Sequence, residues 1–532
     1  MSPDTDTNND INGNANPSPN AQQLATSLVT RCRTLISEID AFHALLTDTQ
    51  RNPQVVEARS IRSNTISELR TLEKLAAQID AEPVEDDDIP ETHKRLTHAL
   101  RSSNLPFYEA VWTIAKRSCT GLVGFGKRFY RDGDSGGGWD EGHKKRPNKD
   151  KRKSVFVDIV ADGGEEWVKV STVSETRLLF EMAEKGWEAD SEAGSDEEEP
   201  RTVLRNYDGD RRPDGASDNT GSDGDEDDDE VELVKLAREM RRASDNTRVR
   251  YRHPRLRFVI PKIEEGKIPE IDDLLKAIRG YGVQVDCGEA VFSSEAIDLD
   301  QELRRLLPKP FKRFASTLNV DCTLLLAIVS DLSHFKNIPP SPTLHRAILR
   351  QLEVERSHPL LTKELWPAMV DHDLVCTKEA AERMREIVET IGTDSEKQRT
   401  WMIMGIDEFR GLDSPSLLQR LQALSDHPIP SQWKLPIKTV DSISAIALGR
   451  KEGVIPLVAD RVTEILSDIN HSVFMYGWAS KLMTISSNRT VVKQIEMTVE
   501  KHREGDEELE GPLIWVCDTA RSLIGKEKSR KN

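Results

Sequence analysis

Near the start of the chain, apolar residues recur at steps of three and four. Two stretches show this pattern, LATSLVTRCRTLISEIDAFHALL and TISELRTLEKLAAQI, and Pro53 lies in the break between them. Because this spacing puts the apolar side chains on one face of a helix, it predicts a helical hairpin covered by a third helix near FYEAVWTIAKRSC. We expect a helical N-terminal region over residues 21–135, after a polar tail at residues 1–20 that should be disordered.

The middle of the chain contains shorter, strand-like runs. SVFVDIVADGGEEWVKVST has two β-rich runs around Gly163 and Gly164, which predicts a hairpin. PRLRFVIPKI and VQVDCG indicate strands, and IPEIDDLLKAIRGYG between them indicates a helix that ends at glycine. We expect a small α/β middle unit over residues 154–300, after a basic linker at residues 136–153. An acidic insertion at residues 188–230 has few large apolar residues and should be disordered.

From about Pro310 onward, apolar runs alternate with amphipathic stretches. LNVDCTLLLAIV indicates a strand and a helix, and TKEAAERMREIVETIG indicates a helix. IKTVDSISAIALGRKEGVIPLVADR indicates a strand, a helix and a second strand, and HSVFMYGWASKLM is interpreted as a last strand. This alternation predicts the α/β class, with a parallel sheet in a three-layer α/β/α domain over residues 310–500 and a tail over residues 501–532.

The charge of the chain is concentrated in one segment. Residues 188–232 contain 19 acidic and 4 basic residues and so carry −15 of the net charge of −18. We therefore expect the acidic insertion to bind protein partners, and the rest of the chain to be nearly neutral. The six cysteines form no C-x-x-C pair, and no apolar run approaches the roughly 20 residues of a membrane helix. We expect reduced thiols, no membrane partner and a location in the cytoplasm or nucleus.

Two basic runs are candidate contacts for nucleic acid. HKKRPNKDKRK at residues 143–153 has the composition of a nuclear localisation signal. The run from Arg241 to Arg257 interleaves Tyr251 and His253 with arginines, which is typical of surfaces that neutralise phosphates and stack bases. Single-stranded RNA is therefore a candidate partner. The alternative is that both runs are solvated loops that pair with the acidic insertion.

Four acids carry the candidate chemistry of the C-terminal region. Asp321, Asp441 and Asp460 each fall at the end of a predicted strand, and Glu382 lies on a predicted helix. The carboxyl ends of parallel strands meet at one edge of a sheet, where ligands bind. Carboxylates gathered there repel one another unless a hard cation such as Mg²⁺ or Mn²⁺ neutralises them. Such an ion activates water and stabilises charge on a phosphoryl group, which is the chemistry of a nuclease.

Each acid also has a structural interpretation. The three aspartates each precede a predicted helix, so all of them could be N-caps. Glu382 could lie on a solvated helix face, and Glu379 or Glu386 on the same helix could be the acid of the site instead.

The middle hairpin offers a rival site. Asp158 and Lys169 are similar to part of the two-acid-and-lysine arrangement of restriction-type nucleases. However, the position two residues before the lysine is Trp167 rather than an acid. A structural hairpin is therefore favoured over a second catalytic centre.

The order of the C-terminal motifs resembles the PIN-like nuclease superfamily. Its members have an Asp after the first strand, an acid on a middle helix, and a block running from Asp through A-x-A and Gly to an apolar strand and a final Asp. LNVD, TKEAAERMREIV and VDSISAIALGRKEGVIPLVADR match that order. The resemblance implies that Asp321, Glu382, Asp441 and Asp460 bind Mg²⁺ or Mn²⁺ and cleave RNA. PIN nucleases commonly have Thr or Ser before the fourth acid, whereas this chain has Ala459.

Three phrases, VFVDIVADGGEEWVKV, RHPRLRFVI and LNVDCTLLLAIVSDLS, are similar to an uncharacterised eukaryotic family. That family has a helical N-terminal region and a PIN-like C-terminal domain of unknown function. The leading hypothesis is a metal-dependent nuclease that cleaves or processes RNA. The alternative is a catalytically inactive PIN-like scaffold for protein or nucleic-acid partners, which the missing hydroxyl before Asp460 favours.

Overall fold

The computed structural model describes residues 21–49, 56–81, 91–130, 154–186, 230–289, 298–338, 346–517 and 519–524. The predicted N-terminal tail, the basic linker and the acidic insertion up to residue 229 lie outside these residues. The chain divides into two compact units. The first consists of Met1–Asn246 and Arg255–Pro308, and the second of Thr247–Pro254 and Lys309–Asn532.

The first unit combines helices with a five-stranded mixed sheet. Its elements in chain order are α1 (Ala21–Thr49), α2 (Arg59–Ala81), α3 (Glu91–Arg101), α4 (Leu105–Ser118), β1 (Gly124–Tyr130), β2 (Ser154–Ala161), β3 (Glu166–Val170), α5 (Glu175–Glu184), α6 (Glu232–Asp245), β4 (Arg255–Ile260), α7 (Pro269–Gly280), β5 (Val283–Cys287) and α8 (Leu299–Leu306). The strands lie in the order β1-β2-β3-β4-β5; β1, β2 and β3 are antiparallel neighbours, and β3, β4 and β5 are parallel. The predicted N-terminal helices and the β2–β3 hairpin are confirmed.

Helices cover both faces of this first sheet. Trp112 of α4 shares a core with Val168 of β3 and with apolar residues of α1 and α2. Trp167, the preceding residue of β3, packs instead with Leu274 of α7. Neighbouring residues of a strand point to opposite faces, which explains why the two belong to different cores. The helical N-terminal region and the middle α/β unit, which the sequence suggests as separate regions, therefore share one core.

The second unit contains the parallel sheet. Its elements are β6 (Thr317–Val320), α9 (Cys322–Val329), α10 (Asp331–His334), α11 (Arg346–Ser357), α12 (Trp366–Met369), β7 (Asp373–Thr377), α13 (Lys378–Ile391), α14 (Asp394–Met404), α15 (Ser414–Gln422), β8 (Lys438–Val440), α16 (Ser442–Lys451), α17 (Val458–Ile465), α18 (Asp468–Ala479), β9 (Met483–Ser486), α19 (Arg489–Lys501) and β10 (Ile514–Val516). The strands lie in the order β10-β9-β6-β7-β8, and every neighbouring pair is parallel. The predicted parallel sheet is confirmed.

Two of the predicted C-terminal strands are wrong. HSVFMYGWASKLM forms most of α18, because a short run of apolar residues suits a fully buried helix as well as a buried strand. GVIPLVAD leads into α17 instead of forming a strand. Pro456 has no N–H to donate within a sheet, whereas its fixed φ suits the start of a helix. The strand after α18 is β9, and the expected C-terminal tail contains β10.

The buried helix α18 packs closely on one face of the second sheet. Asn319 Nδ2 of β6 donates to the Val473 carbonyl and to Thr484 Oγ1, both at 3.0 Å. A Cβ atom at Gly477 would lie only 2.1 Å from Thr484 Oγ1, so glycine allows the helix this approach. Leu318 points to the opposite face and packs into the core that includes α9 and α13. Helices therefore cover both faces of the second sheet.

Candidate active site at the carboxyl edge of the parallel sheet

The carboxyl ends of β6, β7, β8 and β9 lie at one edge of the second sheet. Asp321 directly follows β6, Glu379 stands two residues beyond β7, and Asp441 directly follows β8. Ser486 ends β9, and Asn488 follows two residues later. Because β7 lies between β6 and β8, three neighbouring strands each present an acid at the same edge.

Asp321 is the buried acid of this edge, with only 1% of its surface exposed. Thr323 Oγ1 and Ser486 Oγ each donate a hydrogen bond to Asp321 Oδ2 at 2.7 Å. Ser487 Oγ lies 2.9 Å from Thr323 Oγ1 and extends the hydroxyl cluster. Burial raises the pKa of the Asp321 carboxyl, and the two hydroxyl donors oppose that rise. Asp321 stands at the N-cap position of α9, and the backbone N–H groups of Cys322 and Thr323 favour its charged form together with the two hydroxyl donors.

Asp441 and Glu379 form the outer part of the edge. Asp441 is exposed and caps α16, as the structural interpretation predicted: its Oδ1 accepts from the Ile443 N–H at 3.1 Å. The Ser444 hydroxyl donates to Oδ2 at 2.5 Å and is the main cause that lowers the pKa of Asp441. Ser442 Oγ donates to Glu379 Oε2 at 3.0 Å. Ser442, the first residue of α16, therefore links this helix to Glu379.

Glu382 lies on the solvent side of α13. Its side chain is 60% exposed, and its Oε1 is 3.9 Å from Lys378 Nζ, one turn earlier. The first turn of α13 directly follows β7 and is therefore the part of the helix at the sheet edge. Glu379 belongs to that turn and contacts Ser442, whereas Glu382 is one turn farther along. The structure thus brings Glu379 to the edge, and Glu382 matches a solvated helix face.

Asp460 stands apart from the other acids. It lies in the first turn of α17 and pairs with Arg450 in the last turn of α16. Asp441 caps the opposite end of α16, whose 10 residues span about 15 Å. The predicted strand before Asp460 does not exist, so the reason for expecting this acid at the edge is lost. Ser486, the last residue of β9, and Asn488 occupy the fourth strand end instead.

Sequence reasoning missed the polar residues that surround Asp321. Thr323 is at the edge because it lies in the first turn of α9, just after β6, whereas Ser486 and Asn488 are there because β9 is the strand beside β6. MTIS is a four-residue strand followed directly by polar residues, and that strand-end signal was obscured by the apolar run of α18 before it. Ser486 thus places a hydroxyl group at this edge, hydrogen-bonded to Asp321. Among the described residues, no group of three or more His, Cys, Asp or Glu side chains is arranged to hold a metal ion.

The rival site in the first unit is a partly buried ion pair. Lys169 Nζ lies 3.2 Å from Asp158 Oδ2, and the Val170 N–H donates to the same oxygen at 2.8 Å. Asp158 is 3% exposed, and its burial raises the pKa of its carboxyl, while Lys169 acts in the opposite direction. Trp167, at the position where a second acid would be needed, is fully buried. The pair joins β2 to β3, so the structural hairpin is confirmed, but Lys169, which was expected to be exposed, is largely buried and paired.

Comparison with known proteins adds one match. The sequence profile of a family described as a protein of unknown function (DUF1308) matches residues 318–410. This span begins in β6 and includes Asp321, Glu379 and Glu382, and it ends before Asp441. No curated protein and no solved structure matches the chain. Among the described helices, none is both long enough and apolar enough to cross a membrane.

Proposed function

We propose that the second unit is a PIN-like domain that cleaves single-stranded RNA with the help of Mg²⁺ or Mn²⁺. The observation that carries this proposal is the placement of Asp321, Glu379 and Asp441 at the ends of three neighbouring parallel strands. Ligands of open α/β sheets bind at this edge. Acids at adjacent strand ends and the phosphate groups of a substrate are both negatively charged. A divalent cation bound between them would neutralise this charge and allow the substrate to bind at the edge.

The donor chemistry of the edge fits a hard divalent cation. Every candidate donor is an oxygen: three carboxylates, the Ser486 hydroxyl and the Asn488 side-chain carbonyl. Burial raises the pKa of Asp321, and a cation beside it would favour its charged form. When bound, such an ion supplies water activation and charge stabilisation on the phosphoryl group.

The protein's own residues have distinct parts in this proposal. Asp321 is the anchored inner acid, because two hydroxyl donors fix its Oδ2. Asp441 is the outer acid: its lowered pKa keeps it ionised, and its exposure leaves it open to a bound substrate. We assign the second acid to Glu379 rather than Glu382, since Glu379 lies at the edge. Lys378 is exposed in the same turn and is suited to contact a phosphate.

The test is RNA cleavage by the full-length protein. Labelled single-stranded RNA would be incubated with the protein and Mn²⁺, and cleavage rates compared among single variants. We expect Asp441→Asn and Glu379→Gln to slow cleavage by about 100-fold or more, as losses of charged groups at an active site commonly do. Asp460→Asn and Glu382→Gln make the same chemical changes away from the edge and should stay within about twofold.

Two outcomes would contradict this assignment. If the wild type and Asp441→Asn cleave RNA at equal rates, the edge is not the catalytic site. If Glu382→Gln loses activity and Glu379→Gln does not, the second acid is Glu382, as the PIN-like resemblance implies. Thermal unfolding of each variant would show that a lost activity does not reflect a lost fold.

A second candidate function is a non-catalytic PIN-like scaffold. One observation favours it: Asp321 Oδ2 already accepts two hydroxyl hydrogen bonds. A buried carboxylate whose oxygens are hydrogen-bonded can be a purely structural group. In that case the wild type would bind RNA or a protein partner without cleaving RNA, and Mn²⁺ would leave its thermal stability unchanged.

A further inference from the structure

A narrow slot lies at the amino-terminal ends of β6, β9 and β10, the edge of the second sheet opposite to the candidate active site. Met483 and Ile514, the first residues of β9 and β10, line it together with Trp515. Its volume is about 50 Å³, far below the roughly 300–1,000 Å³ of pockets that enclose small molecules. A partner of this β10 slot would therefore lie across it rather than inside it.

The border of the β10 slot is basic. Four cationic side chains and one acidic side chain line it: Arg250, Lys309, Lys312, Arg313 and Glu496. This local charge of +3 contrasts with the net charge of −18 of the whole chain. Clustered Lys and Arg side chains favour a partner with phosphate groups, because binding releases the counterions of those phosphates.

Aromatic rings stand beside these cations. Phe311 and Phe314 pack against Trp515, with ring centroids 5.7 and 5.9 Å from that of the tryptophan. All three rings are partly exposed. Proteins that bind single-stranded nucleic acid combine cations along the sugar–phosphate backbone with rings on which bases stack. The β10 slot combines cations and rings in the same way. Three of its cations and two of the rings lie in the short stretch before β6, and the third ring lies on the edge strand β10.

The turn that brings Arg250 and Tyr251 to the slot is strained and firmly held. Their φ angles are 52° and 73°, in the left-handed region that residues other than glycine rarely adopt. Ion pairs within the second unit hold the flanking arginines, Arg248 with Glu500 and Glu507 and Arg252 with Glu510. Tyr251 is 8% exposed, and its hydroxyl has no hydrogen-bond partner among the described residues. A buried polar atom of this kind is commonly met by a water or a ligand.

These contacts change the interpretation of the basic run from Arg241 to Arg257. Tyr251 is buried and does not offer a free face for stacking. Arg248 and Arg252 pair with acids of the second unit, as does His253, which lies 2.9 Å from Glu507 Oε2. Arg250 and Tyr251 of this run line the slot, while the stacking surface comes from rings elsewhere in the chain.

We propose that the β10 slot is a binding surface for single-stranded RNA, separate from the candidate active site. Lys309, Lys312 and Arg313 would contact phosphates, and Trp515 would stack a base. The choice of RNA rests on the proposed function, whereas the surface does not depend on cleavage. Binding measured in EDTA is therefore independent of catalysis, so that failure of one proposal can be distinguished from failure of the other.

The test is the affinity of the full-length protein for a fluorescent single-stranded RNA, measured by anisotropy in EDTA at several salt concentrations. We expect Lys309→Glu with Lys312→Glu to weaken binding by about tenfold or more, and to reduce the salt slope of log K by about 1.4, or 0.7 for each lost phosphate contact. Trp515→Leu should weaken binding by about tenfold with little change in the salt slope. Thermal unfolding checks that both proteins remain folded.

The matched control is Arg410→Glu with Lys451→Glu, which makes the same charge change at exposed positions of the second unit outside the slot. It should change the RNA affinity by less than about twofold. An equal loss in the slot and control variants would overturn the proposal, because the effect would then reflect overall charge. A polyglutamate peptide forms a second arm. If the slot variants lose affinity for this peptide but not for RNA, the surface belongs to an acidic protein partner and the RNA proposal fails.

Discussion

Asp321 and Asp331 are two buried carboxylates of the second unit, and their partners differ. Asp331 is 6% exposed and lies 2.7 Å from Arg399 Nη1, a guanidinium that is itself completely buried. Asp321 is 1% exposed, and its Oδ2 is held by the hydroxyl groups of Thr323 and Ser486. A buried charge that is neutralised inside the protein serves the fold. A buried acid held by neutral donors at the ligand edge of a sheet is better suited to chemistry.

The largest expected effect concerns the ion pair. Arg399→Met should lower the free energy of unfolding by about 3–5 kcal/mol, because it leaves Asp331 buried without its cation and also removes donors to two backbone carbonyls. Urea unfolding followed by tryptophan fluorescence measures this change. Arg410→Met, at an exposed position, is the control and should have little effect.

A double variant sharpens the same point. Asp331→Asn combined with Arg399→Met removes both charges, and we expect it to be more stable than Arg399→Met alone. Thr393 and Ser395 hydroxyls can still bond to the asparagine, since both lie 2.6 Å from the Asp331 oxygens. If the double variant is less stable than Arg399→Met, the Asp331–Arg399 ion pair is not the interaction that stabilises this part of the second unit.

A smaller effect is expected at Asp321. Ser486→Ala removes one of its two hydroxyl donors and should lower the free energy of unfolding by about 2 kcal/mol, within the range for a hydrogen bond to a charged group. Ser487→Ala removes only a hydroxyl that bonds to Thr323 and should have less effect. Urea unfolding of both variants tests the order. The reverse order would mean that the hydroxyl bonds to Asp321 do not stabilise the fold.

The sequence was sufficient to predict the elements that have a clear period. The amphipathic α13, the hairpin of β2 and β3, and the strand that ends before Asp321 all follow from local patterns. It could not distinguish Asp321 from Asp331, because the cation that neutralises Asp331 comes from Arg399 in α14. It also misassigned α18 and hence the fourth strand end. Seven consecutive buried residues from Ser472 to Trp478 carry no period that separates a helix from a strand.

The smallest expected effect is a dependence on pH that separates the inner acid from the outer one. Because burial raises the pKa of Asp321, the native state keeps its proton to a higher pH than the unfolded chain does. The stability that this proton contributes is present at low pH and is lost as pH rises through the native-state pKa. Asp321→Asn cannot titrate, so the free energy of unfolding of the wild type minus that of the variant should fall as pH rises.

Asp441→Asn provides the opposite case. The Ser444 hydroxyl lowers the pKa of Asp441 in the native state, so the wild-type advantage over this variant should be present near neutral pH and be lost as pH falls. Urea unfolding at intervals from about pH 3 to pH 7 measures both differences, in a range that brackets the ordinary carboxyl pKa. Opposite slopes for the two variants would support a buried inner acid and an ionised outer acid. Slopes of the same sign would mean that the two carboxylates titrate alike, and the division of the edge into two parts would then be wrong.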